Sequence, residues 1–193
     1  MRNASGDRMI QIQNCRLDYN WIGQASQPYP RYCTVRPEFD KALSDFRMFI
    51  MEKGFGELQP SQWEVTYVNY IPRGTVWSTL EEWTTVFRSW PCPAIVPEGK
   101  KLEGFGMHWH FEIDPQRGRL HVEVEHAYVG REEKKEVLVM KLTARGPVTK
   151  DKAIANAVDE GLNLGHDVIV TSFEALTSPR AHEYWNRESD NGS

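Results

Sequence analysis

The stretch 105–125 reads FGMHWHFEIDPQRGRLHVEVE, and its strict alternation of apolar and polar residues decides the fold class. Odd-numbered residues from Phe105 to Ile113 are apolar, and Leu120, Val122 and Val124 repeat the pattern after a polar connector. A period of two residues is typical of a strand with one buried face. The connector 114–118 has the length of a hairpin loop, so the two strands are predicted to be antiparallel.

Further elements extend outward from this hairpin. Strands are predicted over 8–21, with a bulge near Asn14 where the alternation changes parity, and over 62–71, 102–114, 119–129 and 136–145. Helices are predicted from Pro37, which suits a first helical turn, from a capping box at Ser78 and Glu81 to Trp90, over 150–176, and after Ser178. Gly161 and Gly165 lower the propensity of the long helix, which indicates a close approach of that helix to the sheet.

The order of these elements, β-α-β-α-β-β-β-α-α, excludes a doubly wound parallel sheet because helices do not alternate strictly with strands. It predicts an α+β fold with an antiparallel sheet of about five strands, helices packed mainly on one face, and a long C-terminal helix. This is the element order of helix-grip and TATA-binding-protein-like folds. We expect a single domain over 1–193, with 186–193 as a frayed tail.

Composition narrows the classes of function. The chain has 193 residues, 40% of them hydrophobic, and a net charge of −4, which disfavours a nucleic-acid partner. Its three cysteines form no CxxC pair, so a disulfide framework and a thiolate zinc site are not expected and a reducing cytoplasm is the predicted location. No apolar run approaches the roughly 18 residues of a membrane span, and the first residues lack the apolar stretch of a secretory signal.

One face of the 105–125 hairpin concentrates the residues with chemistry. If Ile113 pairs with Leu120, then Glu112 stands opposite His121, His110 opposite Glu123, and His108 opposite Glu125. The expected result is a ladder of three His/Glu pairs. This face is the candidate ligand-binding surface, and its members are His108, His110, Glu112, His121, Glu123 and Glu125.

Three interpretations of this face remain open. His-x-His on a strand places two imidazoles on one side about 7 Å apart, which suits a divalent metal held by His108, His110 and Glu123. A His/Glu pair could instead transfer protons, with the carboxylate orienting the ring. The third interpretation is a solvated strand face decorated with opposite charges.

Tryptophans form a second candidate surface at Trp77, Trp83 and Trp90. Such a cluster can be a lid over a pocket, which would add Trp77 and Trp83 to the ligand-binding residues, or it can anchor a helix on the sheet. His166 and His182 lie in predicted helices, where an isolated histidine is usually a packing or surface residue. Motifs for a P-loop, a nucleophile elbow, a dinucleotide fold and a zinc protease are missing from the sequence.

Several segments resemble a known family. They are 9–21 (MIQIQNCRLDYNW), 29–32 (YPRY), 64–69 (EVTYVN) and 164–170 (LGHDVIV), followed by Phe173, Leu176, Thr177, His182 and Trp185. Together they resemble a sporadically distributed bacterial family of uncharacterised proteins of about 250 residues. The resemblance implies an additional N-terminal β/α segment, which we expect this chain to lack as a truncated member, and suggests an accessory or defence-linked role. It implies no catalytic residues, while an uncovered sheet edge would favour dimerisation.

These observations together predict a bacterial cytoplasmic protein that binds or interacts without catalysing a reaction. The expected partner is a protein or a small ligand, a homodimer is left open, and neither a membrane nor a resident cofactor is expected. The alternative is a hydrolase-like enzyme that depends on a metal or on His/Glu acid–base chemistry at His108, His110 and Glu123.

Overall fold

The computed structural model describes residues 1–23, 29–88, 96–130, 132–149 and 153–185. Within the chain there are two compact units, Met1–Gln59 and Pro60–Ser193. Each unit has its own sheet. The single domain expected over 1–193 stays a prediction, and the tail expected at 186–193 lies outside the described residues.

The first unit is a hairpin followed by a helix. Strands β1 (Arg8–Gln13) and β2 (Arg16–Trp21) pair antiparallel, with Gln13 opposite Arg16, and α1 spans Tyr32–Glu52. The prediction of one bulged strand over 8–21 was wrong. The parity change near Asn14 marks a two-residue connection at 14–15, which reverses the chain instead of bending it.

Helix α1 also begins earlier than predicted, and Pro37 lies inside it and not at its start. No described residue of this unit is buried. The hairpin and the helix are joined instead by a polar contact, in which the Arg8 guanidinium donates to both carboxylate oxygens of Glu38 at 2.5 and 3.2 Å. The hydroxyl of Tyr19 donates to the same carboxylate at 3.0 Å.

The second unit contains a four-stranded antiparallel sheet in the order β3-β6-β5-β4. Its strands are β3 (Gln62–Pro72), β4 (Gly106–Glu112), β5 (Arg119–Val129) and β6 (Lys135–Pro147). The helices are the short α2 (Trp83–Val86), the long α3 (Ile154–Leu176) and α4 (Pro179–Tyr184). The α+β class, the antiparallel pairing and the C-terminal helix are thus confirmed. The strands divide into a sheet of four and a hairpin of two, where one sheet of about five was predicted.

Helix α3 packs on β3 and β6 because three glycines leave room for one tryptophan. A Cβ atom at Gly161 would lie 2.2 Å from the Trp63 ring, and one at Gly165 would lie 2.9 Å from it. Gly146 on β6 faces the same ring, since a Cβ there would come within 2.6 Å. The expected close approach of the helix to the sheet is therefore confirmed, and Trp63 fills the contact.

The segment after β3 differs from its prediction. The capping interaction lies one residue later than expected, because the Glu82 carboxylate accepts from the amides of Ser78 and Thr79 at 2.6 and 3.3 Å. A 3-10 turn (Leu80–Glu82) and α2 replace the helix predicted up to Trp90, which itself lies outside the described residues. Phe87 is extended and forms a β-bridge with Thr177, so pairing with the end of α3 ends the helix there.

Across the described ranges, no helix combines the length and the apolar character that crossing a membrane requires.

Candidate functional site

The two faces of the four-stranded sheet differ in what they present. The face under α3 contains buried apolar residues such as Val122, Val124 and Leu142. The opposite face is polar and largely exposed, and we call it the open face. Strand pairing places these residues on it: Glu64, Thr66, Val68, Tyr70, His108, His110, Glu112, Arg119, His121, Glu123, Glu125, Lys141, Thr143 and Arg145.

All six histidines and glutamates of the candidate surface lie on the open face, but the predicted pairs were wrong. His108 stands opposite Glu123, His110 opposite His121, and Glu112 opposite Arg119. The register is shifted by two residues because Phe111, and not Ile113, pairs with Leu120. The Ile113 amide donates to the Gly118 carbonyl at 3.0 Å and closes the longer turn that this register requires.

Only part of the His/Glu ladder therefore remains. His108 Nε2 lies 4.0 Å from a carboxylate oxygen of Glu125, which is a diagonal neighbour, and both side chains are about half exposed. Glu123 is engaged elsewhere, since Lys141 Nζ on β6 donates to its Oε1 at 3.0 Å. The surface thus contains one loose His/Glu contact beside a Lys/Glu ion pair.

His121 occupies the centre of the open face. Its ring lies 4.3 Å from that of His110, centroid to centroid, at an interplanar angle of 61°. On its other side stands Thr143, whose Oγ1 is 3.0 Å from the Oγ1 of Thr66. The Nε2 atom of His121 is buried and has no hydrogen-bond partner among the described residues.

The surroundings of His121 favour its neutral form. Burial lowers the pKa of the imidazole first, and electrostatic interactions with Arg145 and then with His110 lower it further, against smaller opposing effects of Glu123 and Glu64. A neutral imidazole has one donor and one acceptor nitrogen. The centre of the face can therefore hydrogen-bond but adds no charge at neutral pH.

Metal ligation depends on convergence of side chains. Among the described residues, no group of three His, Cys, Asp or Glu side chains is arranged to hold a metal ion. His108, His110 and Glu123 share the open face without forming such a group, and a metal at these three residues stays a prediction.

The predicted tryptophans lie in the core. Trp77 and Trp83 are 1% and 3% exposed, so neither side chain can contact a ligand at the surface as it stands. The Trp77 indole donates to the Ile71 carbonyl at 3.0 Å, and the ring of Trp83 packs at 5.9 Å from that of Phe105.

Sequence reasoning missed a polar cluster on the α3 side of the sheet. His126 Nε2 lies 3.0 Å from a carboxylate oxygen of Glu136, and the other oxygen accepts from Arg73 at 2.6 Å. The His126 side chain is only 5% exposed. The signal available was that the alternation of β5 places His126 on the apolar face, where an imidazole needs a partner.

Two further histidines bond to hydroxyl groups. His166 Nδ1 on α3 lies 2.7 Å from the hydroxyl of Tyr67 on β3, and burial lowers the pKa of this imidazole. His182 Nε2 lies 2.6 Å from Thr177 Oγ1 at the start of the last helix. Both histidines connect packed elements, as expected of packing residues.

A separate cavity of about 270 Å³ lies beside α4. Thr75, Val76, Arg180, Glu183 and Tyr184 line it, and none of these residues belongs to the open face. It provides an internal comparison for the open face in any binding experiment.

In comparisons with known proteins, no family model, no curated protein and no solved structure matches this chain.

Proposed function

We propose that this protein is a non-enzymatic binding module and that the open face is its recognition surface. One observation supports this above the others. Helix α3 packs on one face of the sheet, whereas the opposite face leaves charged, imidazole and aromatic side chains exposed together. The backbone hydrogen bonds between strands hold these polar residues in fixed relative positions, which favours recognition.

The composition of the open face fits a partner with both polar and apolar parts. Val68 and Tyr70 are 45% and 57% exposed at the β3 edge. Val68 stands opposite Lys141 in the row that contains Glu123, and Tyr70 lies in the next row. Aromatic and apolar contacts supply binding energy, while fixed polar groups determine orientation. A flat sheet surface suits a protein partner or the polar end of a larger ligand.

The experiment is an amide NMR titration of the full chain with a panel of small polar compounds and short peptides. Binding shifts should concentrate at open-face residues, and Tyr70→Ala should weaken them. Tyr184→Ala in the α4 cavity is the matched control, since both tyrosines are more than half exposed. Shifts confined to the α4 cavity, or no shifts with any compound, would contradict the proposal.

An enzyme with a metal or with His/Glu acid–base chemistry is the second candidate. The approach of His108 Nε2 to Glu125 at 4.0 Å favours it. Elemental analysis of protein purified without a histidine tag separates the candidates. Stoichiometric zinc, manganese or iron that is lost in a His108→Ala/His110→Ala double variant would support the enzyme and defeat the binding-only proposal.

From the sequence we also propose membership of the bacterial family that the chain resembles, a cytoplasmic location and an accessory role. We further propose a homodimer and a helix-grip or TATA-binding-protein-like architecture. The long α3 packed on β3 and β6 supports the last of these.

A further inference from the structure

Two arginines stand directly opposite each other on the two central strands, at one end of the open face. Arg119 on β5 pairs with Arg145 on β6, and both side chains are exposed. Like charges at directly opposed positions destabilise a sheet. The arrangement therefore costs stability and calls for a compensating partner.

The described part of the chain does not provide that partner. The cross-strand row continues to Glu64 on β3 and to Glu112 on β4, at its two ends. Even so, neither arginine has an ion pair within 4.0 Å or a side-chain hydrogen bond among the described residues. Two adjacent guanidinium groups are thus available on the surface.

The neighbouring row adds further hydrogen-bonding groups. It contains the paired hydroxyls of Thr66 and Thr143 and the imidazoles of His121 and His110. The Nε2 atom of His121 is buried and has no hydrogen-bond partner among the described residues, so the row next to the arginines contains a polar atom that can still form a hydrogen bond.

We propose that Arg119 and Arg145 form a phosphate-binding site on the open face. This inference rests on the proposed function, because it names the ligand chemistry of the same surface. Each guanidinium can donate two parallel hydrogen bonds to an oxyanion. Opposed side chains on neighbouring strands lie about 5 Å apart at their Cβ atoms, so both forks can reach one group.

Phosphate fits the pair better than carboxylate does. A carboxylate has two oxygens and one charge, which a single guanidinium fork satisfies. A phosphate monoester has three free oxygens and a charge of about −1.5 to −2 at neutral pH, which matches two guanidinium groups. Glu64 and Glu112 stand opposite the arginines at the two ends of the row, and their negative charges weaken the binding of an anion there.

The test is a calorimetric titration of the full chain with inorganic phosphate, O-phosphoserine and acetate at low ionic strength. Phosphate and phosphoserine should bind saturably and acetate more weakly. If O-phosphoserine binds more tightly than inorganic phosphate, the site is assigned to phosphate esters. If the two bind equally, the site is assigned to free phosphate. Arg119→Gln and Arg145→Gln should each weaken binding about tenfold or more, since each removes charge-assisted hydrogen bonds.

Two further sets of variants test whether binding depends on Arg119 and Arg145 specifically. Arg180→Gln on α4 is the matched control and should leave binding unchanged. Glu64→Gln and Glu112→Gln should tighten binding several-fold, because they remove competing carboxylates. Neither arginine variant should unfold the protein, since loss of one guanidinium relieves repulsion between the two.

Amide NMR shifts separate failure of this inference from failure of the proposed function. If the peptide panel shifts the open face while phosphate does not, the phosphate site is refuted and the binding module stands. If phosphate binds equally well to both arginine variants, the site is also refuted. If nothing shifts the open face, both proposals fall together.

Discussion

Glu136 is a carboxylate that joins three parts of the second unit. It accepts from Arg73 after β3 and contacts His126 on β5, while its own backbone lies in β6. The bond from Arg73, and secondly that from His126, lowers the pKa of this carboxyl group. A carboxyl group whose pKa is lowered by folding stabilises the protein above its ordinary pKa, and this stabilisation is lost as the pH falls through the folded value.

Glu136→Gln should therefore lower the free energy of unfolding by about 1–3 kcal/mol at neutral pH. The amide cannot accept two charge-assisted hydrogen bonds, and the nearly buried His126 would lose its ionic partner. Urea unfolding measures the change. The exposed Glu132→Gln, in the turn before β6, is the control and should have little effect. Equal stability of both variants would show that the cluster contributes nothing.

His121 predicts a pH dependence of the same sign as that of Glu136, but near the higher pKa of an imidazole. Burial and Arg145 hold its folded pKa below the ordinary value of 6.5, so the unfolded chain binds the proton more readily. Stability should then rise with pH between the folded pKa and about 6.5, and level off above it. His121→Asn should flatten part of that rise, because His166, whose pKa burial also lowers, contributes a rise of its own.

Histidine ring signals in NMR report the titration directly. A His121 midpoint above 6.5 would contradict the assigned cause, because burial and neighbouring positive charges can only lower it. An unchanged pH dependence in the asparagine variant would place the sensitive group elsewhere.

At the scale of elements, the α3–sheet contact depends on glycine. Gly161→Ala should gain about 1 kcal/mol of helix propensity. The substitution should cost more stability than this gain, because the new methyl group would lie 2.2 Å from Trp63 Cδ1 and the helix must move away from the sheet. We expect a net loss of about 1–3 kcal/mol in the free energy of unfolding.

Two comparisons identify overpacking as the cause. Asn156→Ala, exposed on the same helix, should be neutral or slightly stabilising. Trp63→Phe should cost stability alone yet recover part of the loss in the Gly161→Ala background, and a double-mutant cycle by urea unfolding measures this coupling. Additive effects would mean that Trp63 and Gly161 do not share the contact.

Strands β4 and β5 show why the sequence predicted the sheet face of each residue correctly but not its partner on the neighbouring strand. Alternation assigns each residue of β4 and β5 to a face, and a shift of two residues leaves that assignment intact. Only the turn distinguishes the registers, and here Asp114 and Gln116 adopt positive φ angles of 93° and 68°. A non-glycine residue rarely does so, and the composition of 114–118 gave no sign of it.

The N-terminal hairpin and the His126 cluster escaped prediction for related reasons. The connection at Asn14 and Cys15 lacks the glycine that usually marks a two-residue turn, so only a change of parity was visible. His126 and Glu136 meet across a hairpin, and their contact follows from the β5–β6 register and not from spacing along the chain.

At the scale of the whole molecule, the buried apolar residues are distributed unevenly. Among the described residues, every buried hydrophobic side chain lies at Trp63 or later, within the second unit. The first unit has a two-stranded hairpin, a structure that is marginal in water without a hydrophobic face to cover it. Its amides should therefore exchange through local unfolding at lower free energy than those of β5 and β6.

Hydrogen exchange of the full chain, with and without a substitution at Glu38, tests whether the two units unfold separately. Glu38→Gln removes the acceptor that joins Arg8 and Tyr19 to α1, and it should cost the first unit about 1–2 kcal/mol, or a five- to thirtyfold faster exchange of its amides. Amides of β5 and β6 should keep their rates, because their protection comes from the buried residues of the second unit. Glu52→Gln at the exposed end of α1 is the control and should change neither set. If Glu38→Gln accelerates both sets by the same factor, the two units unfold as one and the buried core of the second stabilises the first.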